Sequence, residues 1–238
     1  MIISASRRTD IPSYYSDWFF HRLEAGFVCT RNPMNPKQIS RIELSPDTVD
    51  GIVFWTKNPA PMLDRLPELE GYPTDTVTIE GNVVVTPEGK LVNIMRTTLP
   101  NQAIVLDVDT QNPENPLKFS RLMEFHANRS KFSIRYDEVS ACYYTIASTI
   151  TDDEKPFARN YLTLMASKDL VKWDIIADLY DFRDRSHLEA GVQYVQFEFE
   201  GDDIIYICRT ALNNAHTYHD SNYITFHRIR NFRDLAKN

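Results

Sequence analysis

The sequence predicts an α+β protein in which a short βα-type segment precedes a larger segment of antiparallel strands. Residues 1–72 alternate short apolar runs with helical patterns, which is typical of βα units. From Thr76 onward the rhythm changes to hairpin-like pairs of strands with few helical patterns. With 42% hydrophobic residues and only 7 glycines, the 238-residue chain has the composition of a globular protein that buries a core. We therefore predict two segments, residues 1–72 and 73–238.

Strands and helices alternate in the first segment. An apolar stripe from Tyr14 to Leu23 predicts a helix that ends before Gly26. A second helix is expected from Asn58 through Leu69, because Pro59 suits a first helical position. Strands are expected at Ile2–Ala5, Phe27–Thr30 and Gly51–Trp55, and the loops after them contain Arg7, Arg8, Arg31 and Lys57. Since parallel sheets bind ligands at the carboxyl ends of their strands, these basic residues suggest a small-anion site.

The second segment contains two predicted hairpins. Val77–Thr86 pairs with Leu91–Arg96 across a turn of Pro87 to Lys90, and Val192–Glu200 pairs with Asp203–Arg209 across Gly201 and Asp202. A surface loop is expected at Gln111–Pro116, where prolines and turn formers concentrate. Further strands are expected at Phe132–Arg135, Ala141–Thr149, Tyr161–Ala166, Trp173–Tyr180 and Tyr223–Arg228.

Charge and cysteine content narrow the range of partners. With 26 basic and 33 acidic residues the net charge is −7, which disfavours nucleic acid and anionic membranes. Cys29, Cys142 and Cys208 are odd in number and far apart, so we expect buried free thiols. The histidines lack a third ligand at a diagnostic spacing, and we expect no metal and no cofactor. Without a signal peptide or membrane span, a cytoplasmic protein is expected.

Three blocks of the first segment carry a family resemblance. They are SRRTDIP at Ser6–Pro12, RNPMNPKQ at Arg31–Gln38 and FWTKNPAPMLDRL at Phe54–Leu66. Together they resemble an uncharacterised bacterial family whose full members carry a cysteine cluster similar to that of radical S-adenosylmethionine enzymes. The resemblance stops near Tyr72 and the chain has no such cluster, so an iron–sulfur group would lack its ligands.

Four blocks of the second segment resemble sialidase-like β-propeller proteins. They are Thr78–Arg96, Lys131–Ile146, Arg159–Trp173 and His219–Leu235. Ser167, Asp169 and Trp173 match the S-x-D-x-x-x-W skeleton of an Asp box (BNR repeat), although the usual glycine and threonine are missing. In that motif the serine and aspartate oxygens accept backbone hydrogen bonds in a turn, so its role is structural.

The same resemblance implies candidate site residues. Sialidases bind the substrate carboxylate with an arginine triad, and Arg96, Arg135 and Arg209 each end a predicted strand. Sialidases also use a tyrosine nucleophile activated by a glutamate. The candidate catalytic residues are Glu80, Glu198, Asp220 and Tyr223, with Tyr218 as a second phenol, and His219 and Asn222 are candidate sugar ligands.

The resemblances predict a carbohydrate-active protein of sialidase-like type that hydrolyses a glycoside or binds a glycan. Its ligand would be a carbohydrate or a small acidic molecule. About 160 residues supply only three or four blades of ~40 to 50 residues, so the propeller would be incomplete and its open sheet edges could self-associate. The alternatives are an inactive fusion or truncated product of two unrelated families and a small-anion-binding α/β module.

Overall fold

The computed structural model describes strand backbones at residues 19–23, 26–30, 41–42 and 52–55, and it describes residues 78–112, 117–152, 155–186, 188–213 and 215–236. The chain divides into two compact units. The first contains the described residues up to Leu99 together with Ala103–Met123, and the second contains Pro100–Gln102 together with the described residues from Glu124 onward. The seam expected near Tyr72 lies outside the described residues and stays a prediction.

A four-stranded sheet begins the first unit. Its strands are β1 (Phe19–Leu23), β2 (Gly26–Thr30), β3 (Arg41–Ile42) and β4 (Ile52–Trp55), in the order β1-β2-β4-β3. The predicted strands β2 and β4 are confirmed, and they pair in parallel. The helix expected up to Leu23 is wrong over β1, which pairs antiparallel with β2. The antiparallel pairing of β1, which contains two phenylalanines, with β2, which contains Phe27, Val28 and Thr30, overrides the helical spacing of the apolar residues there.

Several expectations for the first segment lie outside the described residues. These are the strand at Ile2–Ala5, the helix from Asn58 through Leu69, and the basic residues Arg7, Arg8, Arg31 and Lys57. They stay predictions.

The second sheet, in the order β5-β6-β7-β8, contains the first predicted hairpin. Its strands are β5 (Thr78–Val85), β6 (Leu91–Thr97), β7 (Gln102–Asp107) and β8 (Lys118–Glu124). The hairpin turn closes with the Thr86 N–H donating to the Lys90 carbonyl at 2.7 Å, and Gly89 supplies the positive φ of 79°. The strands β7 and β8 were not predicted from the sequence, although the Ala103–Leu106 run of β7 is fully buried.

Two antiparallel sheets make up most of the second unit. One has the order β12-β11-β10-β9, with β9 (Ile134–Asp137), β10 (Cys142–Ser148), β11 (Tyr161–Ser167) and β12 (Asp174–Asp181). The other has the order β13-β14-β15, with β13 (Gly191–Glu200), β14 (Asp203–Ala211) and β15 (Tyr223–Ile229), and the helix α1 (Phe232–Leu235) follows. All seven strands predicted in this region are confirmed, with boundaries shifted by at most two residues.

The core of the second unit lies between these two sheets. Tyr144 and Leu162 from one sheet pack with Phe197 and Tyr206 from the other, and all four are buried. Phe232 of α1 seals one edge of this core, with its ring 5.0 Å from that of Tyr144. The alternation of buried and exposed residues along β14 matches the two-residue period of a strand packed on one face. Cys142 and Cys208 are buried free thiols in this core, as predicted.

Candidate functional site

The two ends of the second unit differ in the length of their connections. We call the end with the described residues 125–133, 149–152, 155–160, 182–186, 188–190, 212–213 and 215–222 the loop end. The opposite end has the short turns at residues 138–141, 168–173 and 201–202, and we call it the turn end. Antiparallel order sets this division, because every second connection of a meander returns to the same end of the sheet. Long connections can form a concave surface, whereas two- to six-residue turns cannot.

Backbone hydrogen bonds tie the loops of the loop end together. The Ile150 N–H donates to the His126 carbonyl at 2.8 Å, and the Val192 N–H donates to the Arg159 carbonyl at 2.7 Å. The buried Arg159 side chain adds to this, because Nη1 donates to the Ala158 carbonyl at 2.9 Å and Nη2 to the Arg129 carbonyl at 2.5 Å. These bonds give the loops defined positions relative to one another.

A cleft of about 490 Å³ opens at the loop end. Arg185, Glu189 and Ala190 line it from the connection that enters β13, and Leu212, Asn213, Ala215 and His216 line it from the connection between β14 and β15. The residues that line the cleft therefore include an arginine, a glutamate, an asparagine and a histidine beside two alanines and a leucine. Its volume falls within the ~300 to 1,000 Å³ of ordinary small-molecule sites.

Side-chain bonds hold the β14–β15 connection beside the cleft. The Asn222 amide bridges both backbone groups of Leu212, accepting from its N–H at 3.1 Å and donating to its carbonyl at 2.6 Å. Arg209 Nη2 donates to the His219 carbonyl at 2.7 Å. Asn213 has a φ of 51°, a left-handed conformation that asparagine tolerates better than most residues. The connection thus presents Asn213 to the cleft from a braced backbone.

One side-chain hydrogen bond of this connection joins a predicted site residue to the cleft lining. His216 Nδ1 lies 2.8 Å from Asp220 Oδ2. The pKa of the Asp220 carboxyl lies below its ordinary value, chiefly because of the hydrogen bond with His216. Asp220 is therefore ionised near neutral pH and can accept hydrogen bonds but not donate them.

Five of the predicted site residues, Arg209, His219, Asp220, Asn222 and Tyr223, lie on or against the β14–β15 connection. Tyr223 begins β15, and its hydroxyl lies 3.5 Å from the amide nitrogen of Asn213. The Asn222 amide binds the backbone N–H and carbonyl of Leu212. His219 contributes its carbonyl to Arg209. The role of each toward a ligand stays a prediction.

The remaining predicted residues form two ion pairs. Arg135 of β9 donates from Nη2 to Glu198 Oε1 of β13 at 2.6 Å, which joins the two sheets of the second unit. Burial lowers the pKa of Arg135, and the Glu198 charge opposes that shift. In the first unit, Arg96 donates to Glu80 at 2.6 Å, and Glu80 is buried with a φ of 52°. Each of the two arginines thus has a carboxylate partner within the chain.

A turn at the turn end makes the hydrogen bonds that its sequence predicts. The Leu170 N–H donates to Ser167 Oγ at 2.9 Å, and the N–H groups of Val171 and Lys172 donate to Asp169 Oδ1 at 2.8 and 3.0 Å. These bonds, led by the one from Lys172, lower the pKa of Asp169. The Ser167 and Asp169 side chains act on the backbone, which is a structural role.

A related turn occurs in the first unit. The N–H groups of Gln111 and Asn112 donate to Asp109 Oδ1 at 3.1 and 2.9 Å, the same i+2 and i+3 pattern that Asp169 makes. Both turns follow the third strand of a four-stranded sheet. In the second unit, Trp173 is the last residue of the predicted motif that contains Ser167 and Asp169, and its ring centroid lies 5.5 Å from that of Phe125.

The sequence reading missed three residues that line the cleft, Arg185, Glu189 and Asn213. A signal was present for the first two, because eleven mostly polar residues separate the strands expected to end at Tyr180 and begin at Val192. Connections of that length with several charges often carry function.

Among the described residues, no group of three or more His, Cys, Asp or Glu side chains could hold a metal ion. No helix in the described part of the chain has the length and apolar character to cross a membrane.

Comparison with protein families matches residues 2–105 to a domain of unknown function, DUF1848. The matched range contains the blocks at Ser6–Pro12, Arg31–Gln38 and Phe54–Leu66. Whether the bacterial family that those blocks resemble is the same one stays a prediction. The comparison with curated proteins found no match.

Several solved glycosidase structures are similar to the chain. An exo-β-1,3-galactanase from Clostridium thermocellum has 18% identity and a TM-score of 0.41, with 68% of this chain and 33% of that chain covered. An α-L-arabinanase from Penicillium chrysogenum, complexed with arabinobiose, has 14% identity and a TM-score of 0.43, with 66% and 48% covered. An α-L-arabinofuranosidase from Fusarium graminearum has 10% identity and a TM-score of 0.40, with 66% and 50% covered. The chain spans between one third and one half of these structures.

Proposed function

We propose that this protein is carbohydrate-active and that it binds a glycan in the cleft at the loop end. The observation that carries the proposal is the lining of that cleft, in which Arg185, Glu189, Asn213 and His216 surround a volume of about 490 Å³. A sugar ring presents hydroxyl groups that both donate and accept hydrogen bonds. Its binding site therefore needs donors and acceptors in close alternation, and this cleft supplies both.

The proposed ligand is a short oligosaccharide or its terminal unit. Glu189 accepts hydrogen bonds, Arg185 donates them, and the Asn213 amide does both. The apolar side chains of Ala190, Leu212 and Ala215 lie beside these polar groups and suit the C–H face of a sugar. A volume of this size holds one or two sugar rings. If the ligand is the acidic sugar that the sialidase resemblance implies, Arg185 binds its carboxylate in this cleft. The predicted triad of Arg96, Arg135 and Arg209 then has no part in binding it.

Glycoside hydrolysis is the second candidate, and a specific observation favours it. Hydrolysis usually requires two carboxyl groups on opposite sides of the scissile bond. Glu189 lines the cleft, and Asp220 contacts His216, which lines the other side. The lowered pKa of Asp220 keeps this carboxyl ionised, as a nucleophile requires, and Glu189 is the second carboxyl that the scheme needs. In this scheme Asp220 keeps its predicted catalytic role, whereas Glu80 and Glu198 have structural roles as partners of Arg96 and Arg135.

For the architecture, we propose that the β-rich part is an incomplete β-propeller of the sialidase-like type. Two four-stranded sheets and one three-stranded sheet correspond to blades, and all follow chain order from one edge to the other. The turn at Ser167 and Asp169 corresponds to an Asp box, and the turn at Asp109 to a degenerate copy. Meandering sheets of this size are the repeating unit of propellers.

Calorimetric titration of the full chain with neutral and acidic oligosaccharides tests the proposal. We expect Glu189→Gln and Asn213→Gly each to weaken the affinity about tenfold, because each removes one hydrogen-bonding group. Glycine is chosen because position 213 has a positive φ, which strains alanine. Glu138→Gln is the matched control, since Glu138 is exposed at the turn end.

The same titration separates the candidate functions. Binding of a glycan that both cleft variants weaken and Glu138→Gln does not weaken would support the cleft. Release of reducing sugar that Asp220→Asn abolishes would add hydrolysis. Absence of binding to all of the sugars would favour an inactive fusion product and reject the proposal.

A further inference from the structure

The cleft has two walls, one on each of the connections that border it. We call Arg185, Glu189 and Ala190 the first wall, and Leu212, Asn213, Ala215 and His216 the second wall. Gly191 directly follows the first wall and begins β13. Among the described glycines only Gly89 and Gly201 have a positive φ, so the backbone at Gly191 does not require glycine. Glycine in a strand of this kind marks a place where another part of the chain approaches closely.

A side chain at position 191 would have no room. A Cβ atom there would lie 2.7 Å from Cβ of Tyr218, and 3.1 and 3.2 Å from Cβ and the carbonyl oxygen of Arg159. Carbon atoms in contact are normally ~3.5 to 4.0 Å apart. Tyr218 belongs to the β14–β15 connection, which also contains the second wall. The missing side chain therefore lets this connection pack directly against the start of β13.

The start of β13 is held on the side away from Tyr218. The Val192 N–H donates to the Arg159 carbonyl at 2.7 Å, and Ser148 Oγ donates to the Val192 carbonyl at 2.5 Å. Arg159 is itself 4% exposed, and its guanidinium donates to two further backbone carbonyls. Tyr218 is only partly buried. A group added at position 191 would consequently displace Tyr218 rather than Arg159.

Hydrogen bonds hold the β14–β15 connection at the place of this close approach. The buried Gln193 side chain donates from Nε2 to the Tyr218 carbonyl at 3.0 Å. The next carbonyl, that of His219, accepts from Arg209 Nη2 of β14 at 2.7 Å. Two consecutive residues of the connection are thus bonded to neighbouring strands. The second wall is carried by a segment whose distance from β13 is fixed at Tyr218.

We propose that Gly191 is a positioning residue whose close approach to Tyr218 sets the separation of the two walls. Glu189 of the first wall and Asn213 of the second can then contact the same sugar ring. The inference rests on the proposed binding of a glycan in the cleft. Relief of the 2.7 Å contact requires a shift of about 1 Å, and the useful range of hydrogen-bond distances is only ~0.5 Å wide. A side chain at position 191 would therefore weaken binding without removing any group that contacts the ligand.

Amide hydrogen exchange of the full chain tests the contact without a ligand. We expect Gly191→Ala to accelerate exchange in residues 215–222 about tenfold, because the added Cβ displaces Tyr218. In a Tyr218→Gly background the same change should have little effect, since the atom that it meets is gone. In a Tyr218→Ala background, which keeps Cβ, the acceleration should remain. Unchanged exchange in Gly191→Ala, or equal relief by the two backgrounds, would overturn the proposal.

Calorimetric titration of the same variants with the oligosaccharides tests the role in binding. We expect Gly191→Ala to weaken the affinity about tenfold at a temperature at which circular dichroism shows a folded protein. The Tyr218→Gly background should remove most of this loss. A glycine with a purely structural role would change the thermal midpoint and leave the affinity of the folded protein unchanged, and that result would overturn the positioning role.

Gly201→Ala is the matched control for both measurements. Gly201 has a φ of 62° and open space around its Cβ position, and it lies in a turn at the turn end. Alanine there should lower the thermal midpoint through backbone strain and leave glycan affinity unchanged. Equal losses of affinity in Gly201→Ala and Gly191→Ala would reject the proposal. A wild-type chain that binds no sugar would reject the proposed function, whereas the exchange rates would still decide whether Gly191 sets the separation of the walls.

Discussion

The turn end and the loop end of the second unit use similar residues for different purposes. At the turn end, charged side chains have partners close to ideal geometry: Arg233 donates from Nε and Nη2 to both oxygens of Asp137 at 2.8 and 2.7 Å. The same guanidinium also reaches Asp202 in the next turn at 2.8 Å. At the loop end, Arg185 and Glu189 instead border an open cleft. The buried Asp137–Arg233 pair therefore joins elements at the turn end, whereas Arg185 and Glu189 of the loop end are exposed and can contact a ligand.

The difference has a physical basis in burial. Asp137 and Arg233 are 5% and 15% exposed at their side chains, so loss of one partner leaves the other charge poorly solvated. The charged groups at the cleft can exchange a protein partner for water at little cost. Substitutions of the buried charged residues at the turn end should consequently lower stability, whereas substitutions at the cleft should lower ligand binding alone.

The largest effect is expected for Arg233→Met. This change keeps much of the side-chain volume and removes the partner of a buried carboxylate, and we expect a loss of about 3 kcal/mol in the free energy of unfolding. Arg228→Met is the matched control. Arg228 also pairs with two carboxylates, those of Glu200 and Asp203, but it is 37% exposed, and a much smaller loss is expected. Urea denaturation measures both. Equal losses would show that burial does not distinguish the two pairs.

The ionisation of Asp137 should also make the stability of the protein depend on pH in the acidic range. The hydrogen bonds from Arg233 and Ser140 hold the pKa of Asp137 at about 2, below the ordinary 3.8. Because the folded-state pKa is the lower one, the stabilisation is present above about pH 4 and is lost as the pH falls toward 2. The shift corresponds to about 2 kcal/mol. Unfolding free energies measured between pH 5 and pH 2 should fall less steeply in Asp137→Asn. Parallel curves for the two proteins would contradict the assignment.

Much of the second unit could be predicted from the sequence, because its strands obey local rules. The β13–β14 hairpin follows from alternating apolar residues around Gly201 and Asp202, and the Ser167 turn follows from side chains that bond their own backbone. Both depend on residues close together in the chain. At β1 the helical spacing of the apolar residues predicted a helix, but the segment is a strand because it pairs with β2.

The candidate site could be predicted only in part. Asp220 and Tyr223 were expected because of the block that contains them, and they lie beside the cleft. Glu189 and Asn213 approach each other from connections that are more than twenty residues apart, and no local pattern indicates such an approach. The ion pair of Arg135 with Glu198 spans 63 residues in the same way. Pairwise contacts across sheets depend on topology, which short motifs do not encode.

A smaller loss is expected at the Ser167 turn. Asp169→Ala removes the acceptor of two backbone N–H groups, and we expect a loss of about 1 kcal/mol, comparable to that of a helix N-cap. Lys172→Ala is the control, because Lys172 is exposed and its ammonium pairs only with exposed Asp174 among the described residues. Thermal unfolding should separate the two variants. If both melt like wild type, the turn does not contribute to the stability of the unit.

The smallest effect on stability is expected at the cleft, in His216→Ala. The His216 side chain is 86% exposed and its partner Asp220 is 59% exposed, so water replaces the lost contact. We expect an unchanged unfolding midpoint together with weaker glycan binding, since the imidazole lines the cleft and orients Asp220. His126→Ala is the matched control, because His126 is also exposed and paired with a carboxylate, that of Glu124. Its ring does not line the cleft. Paired thermal melts and sugar titrations of both variants measure the contrast. A lower thermal unfolding midpoint in His216→Ala but not in His126→Ala would show that the β14–β15 connection stabilises the fold, as the turns do. That result would contradict the expectation that substitutions at the cleft affect only ligand binding.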